Sequence, residues 1–214
     1  MLSDQVISLD GSLKDRIRDR LSAFSTESVD AQGLKRAAVA LTIVNVEASD
    51  EAAFLLTRRS KHLNRHGGQY ALPGGRLDDG ESAIEAALRE LHEEIGILIC
   101  ETDVLGILDD YRTRSGFVIT PVVVWAGSNT TIVPDPGEVA KVFRIPLTDL
   151  LSPRIPVLDS SGDKGRSVLS TPIATLGHQV FAPTAAFIFQ FREVVLFDRP
   201  TRVGQFDQPK FAWK

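Results

Sequence analysis

The stretch Ser82–Gly96 constrains this chain most, because its residues sort into two coherent faces only on a helix. With Glu90 as the origin and a step of about 100° per residue, Ile84, Ala87, Leu88, Leu91 and Ile95 share one aliphatic arc. Glu90, Glu93 and Glu94 share the adjoining arc, together with the small residues Ala83 and Ala86, which leave room in front of the carboxylates. The first arc demands a core to cover it. The second gathers three like charges in one turn, which weakens a helix. Arg89 is the basic residue available to pair with one of them or with Glu81. Two readings account for the excess charge: a solvated acidic face, or a carboxylate site for a hard divalent cation such as Mg²⁺ or Mn²⁺. Glu85 and His92 lie away from the stripe and read as solvent-facing.

The rest of the chain can supply the core. Of its 214 residues 43% are hydrophobic and 24% charged, enough apolar surface for a globular body. A net charge of −4 gives no electrostatic footprint for general nucleic-acid binding. Cys100 is the single cysteine, so an intrachain disulfide and a cysteine zinc cluster are excluded. It follows an apolar run and reads as a buried thiol. The amino terminus lacks a basic and apolar leader pattern, and the apolar run around Ala37–Val46 is too short to cross a bilayer. The expected setting is the cytoplasm, without membrane contact.

Leu13, Ile17, Leu21 and Phe24 recur at helical spacing after Ser12, which with Asp15 forms a weak capping pattern. Ala38–Val46 and Ala52–Arg58, separated by Ala48-Ser49-Asp50-Glu51, predict a hairpin whose first strand is buried on both faces. Further strands are expected at Val104–Tyr111, Phe117–Trp125 and Val139–Ile145, with a helical turn at Leu147–Leu151. Ser152–Gly165 reads as an exposed loop, and Pro183 as the first turn of a helix reaching Val194–Val195. Phe187, Ile188 and Phe191 on it read as core or as a contact between two copies of the chain, a homodimer, rather than as a ligand platform. The tail carries Phe206, Phe211 and Trp213 and is expected to pack on the body. The expected organisation is a helix and linker over residues 1–33, a core over 34–150 and an extension over 151–214. Mixing of strands and helices without strict alternation favours an α+β or mixed-sheet sandwich fold.

The spacing of the acidic segment is specific. Gly75, five residues, Glu81, seven residues, Arg89-Glu90, an aliphatic, one residue, Glu93-Glu94, one residue, Gly96 and an aliphatic resembles the Nudix box at every defined position. That resemblance implies an α/β/α sandwich around a mixed sheet and a metal-dependent hydrolase of nucleoside diphosphate derivatives. It implies that Glu90 and Glu94 hold Mg²⁺ or Mn²⁺, with Glu93 close behind and Glu81 as a further contributor. Arg89 would orient the glutamates, and Gly75 and Gly96 would serve as hinges where glycine tolerates unusual backbone angles. Glu93 and Glu138 are both candidates for the general base.

Upstream, Arg58, Arg59, Lys61 and Arg65 crowd together directly before the acidic segment, as suits a substrate with several phosphates. Leu55, Leu56, Thr57, Arg59, Ser60, Gly68, Leu72, Pro73, Gly74 and Gly75 resemble the motif of the coenzyme A diphosphatase branch of the family. Asn64 stands where that branch has arginine, and Arg65 follows it. The resemblance implies cleavage of coenzyme A to phosphopantetheine and adenosine 3′,5′-bisphosphate, with Arg58, Arg59, Arg65, Gly74 and Gly75 on the substrate. The alternatives are hydrolysis of ADP-ribose, NADH or a nucleotide sugar, and a nucleotide-sensing module without catalysis.

Overall fold

The computed structural model describes residues 6–61 and 67–212. In chain order the elements are α1 (Gly11–Ala23), β1 (Lys35–Asn45), β2 (Ala52–Arg59), β3 (Tyr70–Ala71), β4 (Gly74–Arg76) and α2 (Ala83–Ile95). There follow β5 (Val104–Ile107), β6 (Tyr111–Arg112), β7 (Phe117–Gly127), β8 (Val139–Pro146), β9 (Val157–Asp159), β10 (Val168–Ile173), β11 (His178–Phe181) and α3 (Thr184–Phe191).

Side-chain alternation along the strands builds two apolar layers. Leu41, Ile43, Phe54, Leu56 and Val123 face one side, where they join α1, α3 and the C-terminal strands. Ala38, Ala40, Val44, Ala53, Leu55, Val122 and Val124 face the other, where they meet Ala86, Ala87, Leu91 and Ile95 of α2. The result is an α/β/α sandwich. Its main sheet runs β3-β2-β1-β7-β5, with β4 on β1, β6 on β7 and β8 on β2. The sheet is mixed: β1 and β7 are parallel, with Ala38 beside Thr120, while the β1–β2 hairpin is antiparallel, with Ile43 beside Phe54. Nearly all of β1 is buried because both faces are covered.

Several expectations need correction. The cap of α1 is Asp10, whose carboxylate accepts from Leu13 N–H at 2.8 Å, and Ser12 lies inside the helix. Val104–Tyr111 is not one strand, since β5 ends at Ile107 and β6 begins at Tyr111. Residues 152–165 are not wholly loop: β9 pairs with β10, and β10 with β11, in a second sheet. These short strands carry turn residues around them and find partners only in one another, so no single segment announces them. The last helix becomes a π-turn over Arg192–Leu196, where the Arg192 guanidinium pairs with Glu193 and donates to Leu150 O at 2.6 Å. Cys100 is exposed, because the chain leaves α2 in an irregular segment. Phe187, Ile188 and Phe191 are buried within this one chain. No helix among the described residues is long and apolar enough to cross a membrane.

An ionic clasp fastens the tail to the body. Arg114 Nε donates to Asp207 Oδ1 at 2.6 Å, its Nη2 pairs with Asp207 Oδ2, and its Nη1 donates to Asp163 at 2.7 Å. Backbone N–H groups of Gln208 and Asp163 donate to the same buried Asp207 carboxylate at 2.8 and 3.0 Å. The Arg114 hydrogen bonds outweigh the cost of burial and hold the Asp207 pKa down to about 2. A lowered carboxylate pKa stabilises the fold above the unfolded-state value, and that stability is lost as pH falls through the folded one. Asp207 therefore contributes on the order of 2 kcal/mol at neutral pH, lost between about pH 4 and pH 2. Asp207→Asn is expected to lower the urea midpoint at pH 7, with the gap from wild type closing as the titration is repeated toward pH 2. A gap that stays constant with pH would assign the loss to packing.

Candidate active site on the acidic helix

Ser82 starts α2 with a capping box: its hydroxyl accepts from Glu85 N–H at 3.2 Å, and Glu85 accepts from Ser82 N–H at 2.8 Å. Glu85, read from sequence only as solvent-facing, thus has a structural task, and the Ser-x-x-Glu spacing could have signalled it. Gly96 ends the helix with φ +74°, the left-handed conformation that glycine adopts without penalty.

The helix sits rotated from its simplest amphipathic phase. Ala86 and Glu94 are buried, while Ile84 and Leu88 are only partly so. The small residues on the acidic face explain this, because they let α2 lie close against β4. A Cβ on Gly75 would fall 2.1 Å from Oε1 of Glu90, so glycine is required there by close approach to the carboxylate. The hinge expected at Gly75 is corrected accordingly: its φ is not positive, whereas Gly96 does fit the expectation. β4 pairs with β1 so that Gly75 lies beside Ala38 and Gly74 beside Val39.

Arg89 gathers the outer glutamates. Its Nε and Nη2 donate to the two Glu81 oxygens at 2.9 and 3.1 Å, and Nη1 donates to Glu90 and Glu93 at 3.0 Å each. Nη2 also donates to Arg76 O at 3.0 Å, which ties the helix to β4. These bonds hold the Glu81 carboxyl below its ordinary range. Glu90 is shifted upward, chiefly by burial, with Arg89 opposing and the charges of Glu93 and Glu138 adding to the rise. Glu94 is the most enclosed, 2% exposed, and burial pushes it up to about 7. Arg59 lowers it through a long 3.4 Å contact, Glu138 and Glu90 raise it, and Gly74 N–H helps to hold it charged. Glu93 is 58% exposed.

The loop carrying Glu138 is pinned over the end of α2, since Val133 N–H donates to Ile95 O and Asp135 N–H to Glu94 O, both at 2.9 Å. Glu138 O accepts from Ser60 N–H at 2.7 Å. The described residues hold no ready cluster of three acidic, histidine or cysteine ligands. Arginines occupy the carboxylates instead. The donor set still fits a hard cation: a buried carboxylate with one long ion pair, a second beside it, and a glycine that makes room for it.

A cavity of about 350 Å³ has Arg59, Gly74, Gly75 and Arg76 among its walls. None of Glu81, Glu90, Glu93, Glu94 and Glu138 lines it; Gly75, packed against Glu90, and Arg59, in contact with Glu94, connect it to the carboxylates. Arg58 instead sits in register with Tyr70 and Lys141 on the sheet, and is not among the described residues that line it. Arg65, with His62, Asn64 and His66, lies outside the described residues. Sequence reasoning missed Arg76, whose guanidinium stands 5.3 Å from the Phe117 ring centroid, although its place directly after Gly75 was a clue. It also missed Phe117, Thr184 and Gln208 on the far walls, for which no local pattern exists.

The NUDIX domain family matches residues 34–161. A Yersinia enterocolitica protein called "Uncharacterized Nudix hydrolase NudL" is 41% identical over 153 residues, spanning 70% of this chain and 76% of its own length. The protein of that name from Yersinia pestis is 42% identical over 119 residues, 55% of this chain and 58% of its own length. The fold resembles the crystal structure of a MutT/nudix family protein from Enterococcus faecalis, with a TM-score of 0.54 at 18% identity, over 78% of this chain and 65% of that one. The chain belongs to the Nudix family. It is a pyrophosphohydrolase, and enzymes of the family generally use divalent metal ions.

Gly75→Ala is expected to leave the thermal midpoint nearly unchanged, because only the far end of the Glu90 side chain must move. Diphosphate hydrolysis should fall roughly a hundredfold, the usual cost of misplacing a reacting group by about 1 Å. Full activity in this variant would remove Glu90 from the site.

Proposed function

We propose that the chain hydrolyses the diphosphate bridge of coenzyme A or its derivatives, giving phosphopantetheine and adenosine 3′,5′-bisphosphate. The observation that carries the hydrolytic part is the buried Glu94 beside Glu90, packed against Gly75 and Arg59, which themselves form part of the wall of a cavity. The coenzyme A part rests on the run from Leu55 to Gly75. In this reading residues 34–150 form the catalytic core, and the flanking segments pack against it.

Glu90 and Glu94 hold the divalent ion, Mg²⁺ or Mn²⁺, with Glu93 and Glu81 supporting it. When bound, such an ion neutralises charge on the bridging diphosphate and lowers the pKa of a water. Arg89 keeps Glu81, Glu90 and Glu93 in one orientation and does not touch substrate. Arg59, whose contact with Glu94 is long at 3.4 Å, would offer its planar fork to a substrate phosphate. Gly74 and Gly75 let the substrate come close to the backbone. The water oxygen bonds to one phosphorus, the bridging oxygen leaves with the other phosphate, and the proton passes to a carboxylate. Glu138 is the base in this reading, because its loop is pinned over the end of α2 beside Glu94, whereas Glu93 is already paired with Arg89.

Coenzyme A, ADP-ribose, NADH and a nucleotide sugar, each incubated with Mg²⁺ and with Mn²⁺, test the assignment. Coenzyme A is expected to be cleaved fastest, and a faster ADP-ribose reaction would move the function to that substrate. Binding without turnover would make the chain a sensor. Glu94→Gln should lose activity by orders of magnitude, and Glu138→Gln roughly 10²–10⁴-fold, with wild-type circular dichroism in both.

A further inference from the structure

The cavity walled by Arg59, Gly75 and Arg76 does not end at α3. A second cavity of about 190 Å³ continues it toward Phe181 and Phe211, and the two share Gln69, Tyr70, Pro183 and Thr184 as walls. Together they make one groove, running from Gly75 past the start of α3 to the tail. Its two ends differ in chemistry. Arg59 and Arg76 stand at the end beside the glutamates, and the described walls beyond them carry no charged side chain.

The neutral part is apolar with amides spaced along it: Gln69 at the junction, Gln179 toward the outer end and Gln208 on the inner wall. Gln208 is fixed there, since its Oε1 accepts from Arg114 N–H at 2.8 Å. Gln179 is steadied by Ser170, whose hydroxyl lies 3.0 Å from its Oε1. A side-chain amide offers both donors and an acceptor, the complement of another amide. The ring pairs at the groove are edge-on: Phe181 and Phe211 meet at 90° with centroids 5.0 Å apart, and Tyr70 meets Phe143 at 65°. None of these pairs forms a parallel slot for a flat base.

We infer that this groove, whose outer end is built mostly by residues beyond the family match, binds the extended, uncharged, amide-bearing arm of the substrate rather than its nucleoside. The assignment rests on the proposed function above, and names which half of the substrate lies on the C-terminal segment. An arm joined through phosphate starts at Arg59 and Arg76, passes Tyr70 and Thr184, and leaves between Gln179 and Phe211. Residues 179–211 thereby set the arm that the enzyme accepts, while α2 sets the bond that is cut.

The two products separate the halves. Inhibition by 4′-phosphopantetheine and by adenosine 3′,5′-bisphosphate is measured with Mg²⁺ for wild type and for the Gln179→Ala, Phe211→Ala double variant. Gln179 is exposed and Phe211 is 56% exposed, so neither substitution opens the core. The double variant should weaken 4′-phosphopantetheine about tenfold, the loss expected for one hydrogen bond and an aromatic contact, and move the bisphosphate less than twofold. Thr184→Phe, which fills the junction, should weaken 4′-phosphopantetheine as well. Unchanged 4′-phosphopantetheine inhibition, or equal weakening of both products, overturns the assignment while leaving a diphosphatase in place. If wild type cleaves no diphosphate, calorimetry with 4′-phosphopantetheine decides alone. Binding that the double variant weakens keeps the groove and removes the reaction, and no binding removes both.

Discussion

Glu94 is an acid held inside an apolar layer, and the surrounding site is arranged around that arrangement's cost. Taking a carboxylate out of water without full compensation costs several kcal/mol. Burial accordingly raises Glu94 to about 7, and only a long contact to Arg59 and a backbone N–H oppose the rise. The fold reaches this state because alanine and glycine stand where larger residues would keep α2 away from the sheet. Ala86 lets the helix settle, and Gly75 leaves space for the neighbouring Glu90 carboxylate. The capping box and Gly96 then fix where the helix begins and ends.

Much of this was legible because it is local. Helical phase alone separates Leu91 and Ile95 from the glutamates, and the near-continuous apolar run of β1 marks a strand covered on both faces. The limits of such reading are equally physical. Phase places Ile84 and Leu88 in the core and Glu94 on an open face, but packing chooses the small residues and takes Glu94 inward. Asp10, not Ser12, caps α1, because both residue types serve and the docked position of Leu13, Ile17 and Leu21 decides. Cys100 follows aliphatic residues yet is exposed, since its segment belongs to no regular element.

What was not legible lies in pairings between distant segments. β9, β10 and β11 are short and surrounded by turn residues, and their strand character appears only where they meet. Arg114 and Asp207 have no spacing that would reveal a bond, yet they bring the turn before β7 and the tail to one wall. The cavity is therefore composite. One wall comes from the contiguous stretch Gly74–Arg76 that leads toward the acidic helix, and another from Phe117, Thr184, Phe187 and Gln208.

The clasp between Arg114 and Asp207 also bears on how such a chain changes over generations. It couples two stretches far apart in sequence, and replacement of Arg114 leaves the buried Asp207 carboxylate with the Gln208 and Asp163 N–H groups alone to offset its burial. The tail's contribution to the cavity is thus held by a bond remote from the acidic helix, and the two can be altered separately.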